Sequence, residues 1–164
     1  MVRKLSFIIL LLLCAIQPSD GRSQTIELEE EYLDLNYVLN QMTIIAERGR
    51  ELDNPLSYII RLILVPTKYG ECVSGPEDCP KAIVYVAVSE WGEHPTQRLY
   101  KLPESYGWGF DSWKDFPDQT GKTTFIVFRM KRKVISTDRS NEWFSEEVYE
   151  VRANTYAATM QRLR

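Results

Sequence analysis

Histidine is almost missing from this 164-residue chain, which has one, His94. Enzymes that activate a serine or cysteine nucleophile most often set a histidine beside it. Here that chemistry would rest on one residue between Gly92 and Pro95, in a segment that reads as a solvated turn. No G-x-S-x-G elbow, P-loop or G-x-G-x-x-G is present either. Cysteine is scarce, three in all. A closed zinc site takes four Cys or His ligands, so no metal is expected, and no cofactor motif takes its place. An excess of positive charge is lacking as well: 20 basic side chains stand against 23 acidic ones. That balance offers no field for nucleic acid. There is no Asn-x-Ser/Thr sequon, internal repeat or low-complexity linker, which leaves one domain as the reading.

The chain also lacks an apolar run long enough to stay in a bilayer. Basic Arg3 and Lys4 precede an apolar stretch from Leu5 to Ile16, and Gln17 and Pro18 end it. The stretch has about ten to twelve residues where a spanning helix needs roughly 20. Basic start, short apolar run and small residues at Ser19 and Gly21 are the layout of a secretory signal, so residues 1–21 read as a signal peptide and 22–164 as the mature β-rich domain. Cleavage removes Arg3, Lys4 and Asp20, leaving 18 basic against 22 acidic groups, and it removes Cys14. The two remaining cysteines, Cys72 and Cys79, are an even pair in an exported chain and read as a disulfide. Closing so short a loop is worth roughly 2.5 kcal/mol by chain entropy. A secreted or periplasmic location follows as the expectation, with no integral span in the mature chain.

What the sequence does contain is strand texture. Thr25 to Leu28 alternates, Ser57 to Pro66 is rich in Ile, Leu and Val, and Ala82 to Ser89 is apolar on both faces, as a central strand should be. Arg98 to Leu102 is a shorter candidate. Thr123 to Ile135 and Glu142 to Thr155 flank a turn-rich stretch and predict an antiparallel hairpin. If Ser136 faces Asn141, then Val134 faces Trp143, Phe128 faces Tyr149 and Ile126 faces Val151 on an apolar side, while Arg129, Lys131 and Lys133 share the other and Lys131 meets Glu146. One segment has a different period: Tyr32, Leu35, Val38, Leu39, Met42, Ile45 and Ala46 recur at three and four. Acidic residues before this stripe and Arg48 and Gly49 after it predict an amphipathic helix from Glu31 to Arg48. The fold class is therefore mainly β, an antiparallel β-sandwich-like domain with one N-terminal helix. The alternative is α+β, with that helix packed on a curved antiparallel sheet.

Glu104 to Gly121 reads as a loop, because glycine, proline and aspartate punctuate it. It is unusually aromatic, with Tyr106, Trp108, Phe110, Trp113 and Phe116, and Trp91 sits in a neighbouring turn. Such rings either plug the core or present a binding face. With so few catalytic groups, the expected role is non-enzymatic recognition of another protein, and an inhibitor or immunity-like part fits the size and compartment. Trp91, Tyr106, Trp108, Phe110 and Trp113 are the candidate binding residues. A glycan-binding module is the second reading, since sugars stack on such rings. The third is a small hydrolase using Asp111, Asp115 and Asp118, because glycosidases need only two carboxyl groups.

Overall fold

The computed structural model describes residues 25–28, 41–49, 58–90, 93, 95–114, 118–120, 123–137 and 142–163. They form ten strands: β1 Thr25–Glu27, β2 Thr43–Arg48, β3 Tyr58–Lys68, β4 Lys81–Glu90, β5 Gln97–Lys101, β6 Ser105–Trp113, β7 Asp118–Thr120, β8 Thr123–Ile135, β9 Phe144–Ala153 and β10 Ala158–Arg162. All pairings are antiparallel, in the order β1-β10-β9-β8-β6-β4-β3-β2, with β5 beside β4 and β7 beside β8. The mainly antiparallel β class is as the sequence predicts.

Central position explains the apolar character of β4. It pairs with β3 along one edge, and its other edge is shared, first by β6 at Lys81 and Ala82 and then by β5 from Tyr85 to Ser89. Val84, Val86 and Val88 are buried on one face and Tyr85 on the other. At the β4–β6 pairing the strand order falls into two halves, β2 to β5 and β6 to β10 with β1, whose side chains share one core. Ile60, Leu62, Tyr100 and Leu102 from the first half cluster with Trp108, Ile126, Phe128, Met130, Val151 and Met160 from the second. Polar contacts join the halves at their rims. The Thr155 hydroxyl donates to Glu90 at 3.0 Å, and the Arg48 guanidinium donates to the Lys114 carbonyl at 2.5 Å while lying 5.9 Å from the Trp113 ring.

The helix expected from Glu31 to Arg48 is corrected at its C-terminal end, where Thr43–Arg48 is strand β2, paired with β3 from Thr43↔Leu64 to Arg48↔Ile60. Three consecutive β-branched residues, Thr43, Ile44 and Ile45, have stiff χ1 angles that favour a pleated ladder. Gly49, at φ 104°, follows a strand rather than capping a helix. Residues 31–40 lie outside the described residues.

The hairpin of β8 and β9 forms, with its register moved by two residues. Val134 faces Ser145, Phe128 faces Val151 and Ile126 faces Ala153. The connection is longer than expected, because the last ladder pair is Ile135↔Phe144 and the Ser136 amide bonds the Trp143 carbonyl. A shift of two preserves alternation, so Ile126, Phe128 and Met130 still point inward and Arg129, Lys131 and Lys133 outward. Lys131 faces Val148 in this register, yet its ammonium reaches Glu146 diagonally at 3.7 Å.

The expected loop from Glu104 to Gly121 is corrected to strand β6 over Ser105–Trp113, and β7 begins within the same stretch. Two irregularities, between Tyr106 and Gly109 and between Phe110 and Ser112, bend β6 against β8. Gly107 makes the first one, at φ 54°, and the Lys133 stem lies over it so that an added Cβ would stand 3.1 Å from Cδ. Gly107→Ala is expected to destabilise the fold by about 1–2 kcal/mol, mostly through the left-handed backbone, since the lysine stem can shift. Urea unfolding measures this, and an unchanged midpoint would mean the bulge relaxes without glycine.

Candidate functional site

The predicted disulfide is present: Cys72 and Cys79 are bonded with Cα atoms 4.3 Å apart, closing a loop between β3 and β4 around the 3-10 turn Pro76–Asp78. The Ser74 amide donates to the Asp78 carboxylate at 3.3 Å and supports the same loop. This loop projects from the end of the sheet where β3 and β8 finish and β4, β6 and β9 start. Large apolar side chains are exposed there: Tyr69 at 64%, Val73 at 75%, Ile135 at 45% and Trp143 at 44%. At the same end an open cleft of about 780 Å³ runs along Cys72, Lys133, Trp143, Phe144 and Glu146. Tyr106, one of the residues singled out in the sequence, is beside it. Its ring packs on Phe144 at 5.0 Å between centroids and the Lys81 ammonium covers it at 4.9 Å.

The other singled-out aromatics point elsewhere. Trp108 is 6% exposed, donates its indole N–H to the Pro103 carbonyl at 2.9 Å and packs 6.2 Å from Tyr149. Phe110 and Trp113 stack at 4.9 Å, and Trp113 meets Phe128 edge-on at 5.4 Å. Because the second bulge skips a residue, all three are directed at the core, where Phe110 faces Met130 and Trp113 faces Phe128. Trp91 lies outside the described residues. The register expected from the sequence sets Trp143 on the core face opposite Val134. The two-residue shift gives that place to Ser145 and leaves the indole at the surface. No periodic signal marks Tyr69 or Val73; their proximity to the cysteines was the available cue.

A second group of residues, also unforeseen, closes the interior at this end. Arg132 alternates with Met130 and so faces inward, where its guanidinium donates from Nε and Nη2 to Glu147 Oε2 at 3.1 and 3.0 Å. The same cation lies 4.6 Å from the Tyr149 ring and 5.8 Å from that of Trp108. The Tyr149 hydroxyl donates to Glu147 at 2.6 Å, and Arg162 Nη1 approaches the other carboxylate oxygen at 2.8 Å. Burial pushes the Glu147 pKa up, but the Tyr149 and Arg132 hydrogen bonds and the two arginine charges outweigh it and hold the carboxyl below its ordinary value. Burial, together with the bond to Glu147, raises the Tyr149 phenol. This constellation is saturated by its own members and works as a polar plug.

Of the three loop aspartates, Asp115 and the side chain of Asp118 lie outside the described residues. Asp111 is an outward carboxylate held below its usual pKa by the Lys131 hydrogen bond at 2.9 Å and by Ser112. A general acid needs the opposite shift. No group of three or more His, Cys, Asp or Glu side chains able to hold a metal occurs among the described residues. His94 falls outside them. No helix among them is long and apolar enough to cross a membrane. Comparison with protein-family models, curated proteins and solved structures found no match to any of them.

Proposed function

We propose that this chain is an exported, non-enzymatic binding protein that recognises another protein through the end of the sheet bearing the Cys72–Cys79 loop. One observation carries the reading: Tyr69, Val73, Ile135 and Trp143 expose apolar side chains at one end of the sheet, where Trp143 also lines an open cleft beside the disulfide. Exposed apolar groups gathered at one place are costly in a protein that meets only water, and tryptophan and tyrosine are the residue types that anchor protein interfaces. The crosslinked loop adds rigidity, so less ordering entropy opposes association. A sandwich-like arrangement of the two sheet halves, with this end as one of its rims, is part of the same proposal. Secretion or a periplasmic location rests on the leader layout of residues 1–21 and on the disulfide.

The test places a photo-cross-linking residue at Val73 or at Trp143, with Gln161 on the outer side of β10 as control, and exposes each protein to the exported fraction of its source. One partner of defined mass is expected from the first two positions and none from the third. The Val73→Asp, Trp143→Ala double variant should bind that partner at least about tenfold more weakly with an unchanged melting temperature. Equal cross-linking from Gln161, or full binding by the double variant, would place the interface elsewhere. Saturable quenching of Trp143 by a polysaccharide would favour the glycan reading instead.

A further inference from the structure

We infer that the bay beneath Trp108 is a binding site for a small apolar carboxylate, a ligand distinct from the protein partner proposed above and sharing with it only Tyr69 at the rim. Leu64 and Pro66 of β3, Ala82 of β4, and Gly107 and Trp108 of β6 wall a cavity of about 290 Å³ that opens at the rim of the sheet. At roughly 30 Å³ per non-hydrogen atom it takes a molecule of about ten such atoms. Pockets at the mouths of β structures, mostly apolar with a few polar groups at the edge, are the usual form of small-molecule sites.

The edge of this bay carries the second observation. Lys68 and Lys81 both line it, and they are direct cross-strand partners in the β3–β4 ladder. Like charges set opposite one another destabilise a sheet. Neither ammonium forms an ion pair among the described residues: Lys68 donates to the Glu77 carbonyl oxygen, and Lys81 lies over the Tyr106 ring. A nearby carboxylate would have relieved the repulsion, and Glu71 and Glu77 stand in the adjoining loop without filling that role. An anionic head between the two lysines, with its apolar body in the bay against Trp108, satisfies both charges and removes apolar wall from water. Tyr69, also at the rim, has its hydroxyl committed to Gln41 at 2.8 Å and so contributes a ring face rather than a donor.

Octanoate is the probe, with octan-1-ol and octylammonium as controls for the head group. Calorimetric titration should show one saturable octanoate site with a Kd below about 1 mM, and much weaker binding of both controls. In amide NMR spectra the shifts should centre on Ala82, Gly107 and Trp108 and spare Val73 and Trp143, which separates this bay from the proposed protein interface. Lys68→Met with Lys81→Met should weaken octanoate about tenfold or more while leaving the octan-1-ol affinity unchanged. Both lysines are half-buried, and removing their mutual repulsion offsets the Lys81–Tyr106 contact that is lost, so the double variant is expected to keep its melting temperature. Octan-1-ol binding as tightly as octanoate, an unaltered affinity in the double lysine variant, no saturable binding, or shifts confined to Trp143 would each overturn the inference.

Discussion

Trp108→Ala is expected to remove about 3–5 kcal/mol of unfolding free energy, the cost of truncating a large ring in a packed interior. Beyond the cavity, the change leaves the Pro103 carbonyl without its indole donor and takes one of two aromatic faces from the Arg132 guanidinium. Domains of this size are stable by only about 5–15 kcal/mol, so much of the folded population is at stake. Trp108→Phe keeps the ring and should recover roughly half of the loss. Urea titration followed by far-UV circular dichroism measures both. From the sequence Trp108 is a candidate binding residue or a core plug, and the outcome separates the two roles: a binding anchor costs affinity when truncated, a core ring costs stability. An unchanged unfolding midpoint would return Trp108 to the surface.

Glu147→Ala should cost about 2–3 kcal/mol, since it leaves the half-buried Arg132 cation and the Tyr149 hydroxyl without their shared acceptor. The figure is below that for a fully enclosed pair because Arg162 is mostly exposed and can rehydrate. The sign of the pH dependence follows from the depressed carboxyl. In the unfolded chain Glu147 takes up its proton near its ordinary value, and in the folded protein it does so at lower pH. Its stabilisation is therefore fully present above about pH 5 and is lost as pH falls through the depressed value. The wild-type protein should weaken on acidification through this window, and Glu147→Gln should show a shallower acid slope. Identical slopes would assign the acid sensitivity to other carboxylates, Glu90 and Asp111 among them, whose pKa values are lowered by hydrogen bonds from Thr96 and Lys131 respectively. Trp108 and Glu147 both touch Arg132 and Tyr149, so the paired substitutions should not add.

Legibility in the sequence followed the strength of alternation. Ala82 to Ser89 was readable as a doubly buried strand because both of its faces are apolar, and β8 was readable because inward Ile126, Phe128 and Met130 alternate with outward Arg129 and Lys131. The same alternation points Arg132 inward, although it stands in a run of basic residues whose other members face solvent. In β6 the difficulty was glycine. Tyr106, Trp108 and Phe110 alternate with Gly107 and Gly109, a period of two that a strand produces, yet two glycines and the following aspartates resemble loop punctuation. At Thr43 to Arg48 a helical period competed with β-branched residues, and pairing with β3 decided it. Register and surface were the least legible. A two-residue difference in connection length left every core face intact and yet moved Trp143 from a supposed interior place to the candidate interface.

The ladder between β1 and β10 ties Thr25 to Gln161 and Glu27 to Thr159, pairs separated by 136 and 132 positions in the sequence. Such a closure demands the largest loss of loop entropy of any pairing in the sheet and gains nothing until β9 and β10 have turned back on each other. While a ribosome is still extending the chain, this seam has no second half. The seam therefore closes only once Thr159–Gln161 has been made, so it secures a fold whose other ladders are already in place.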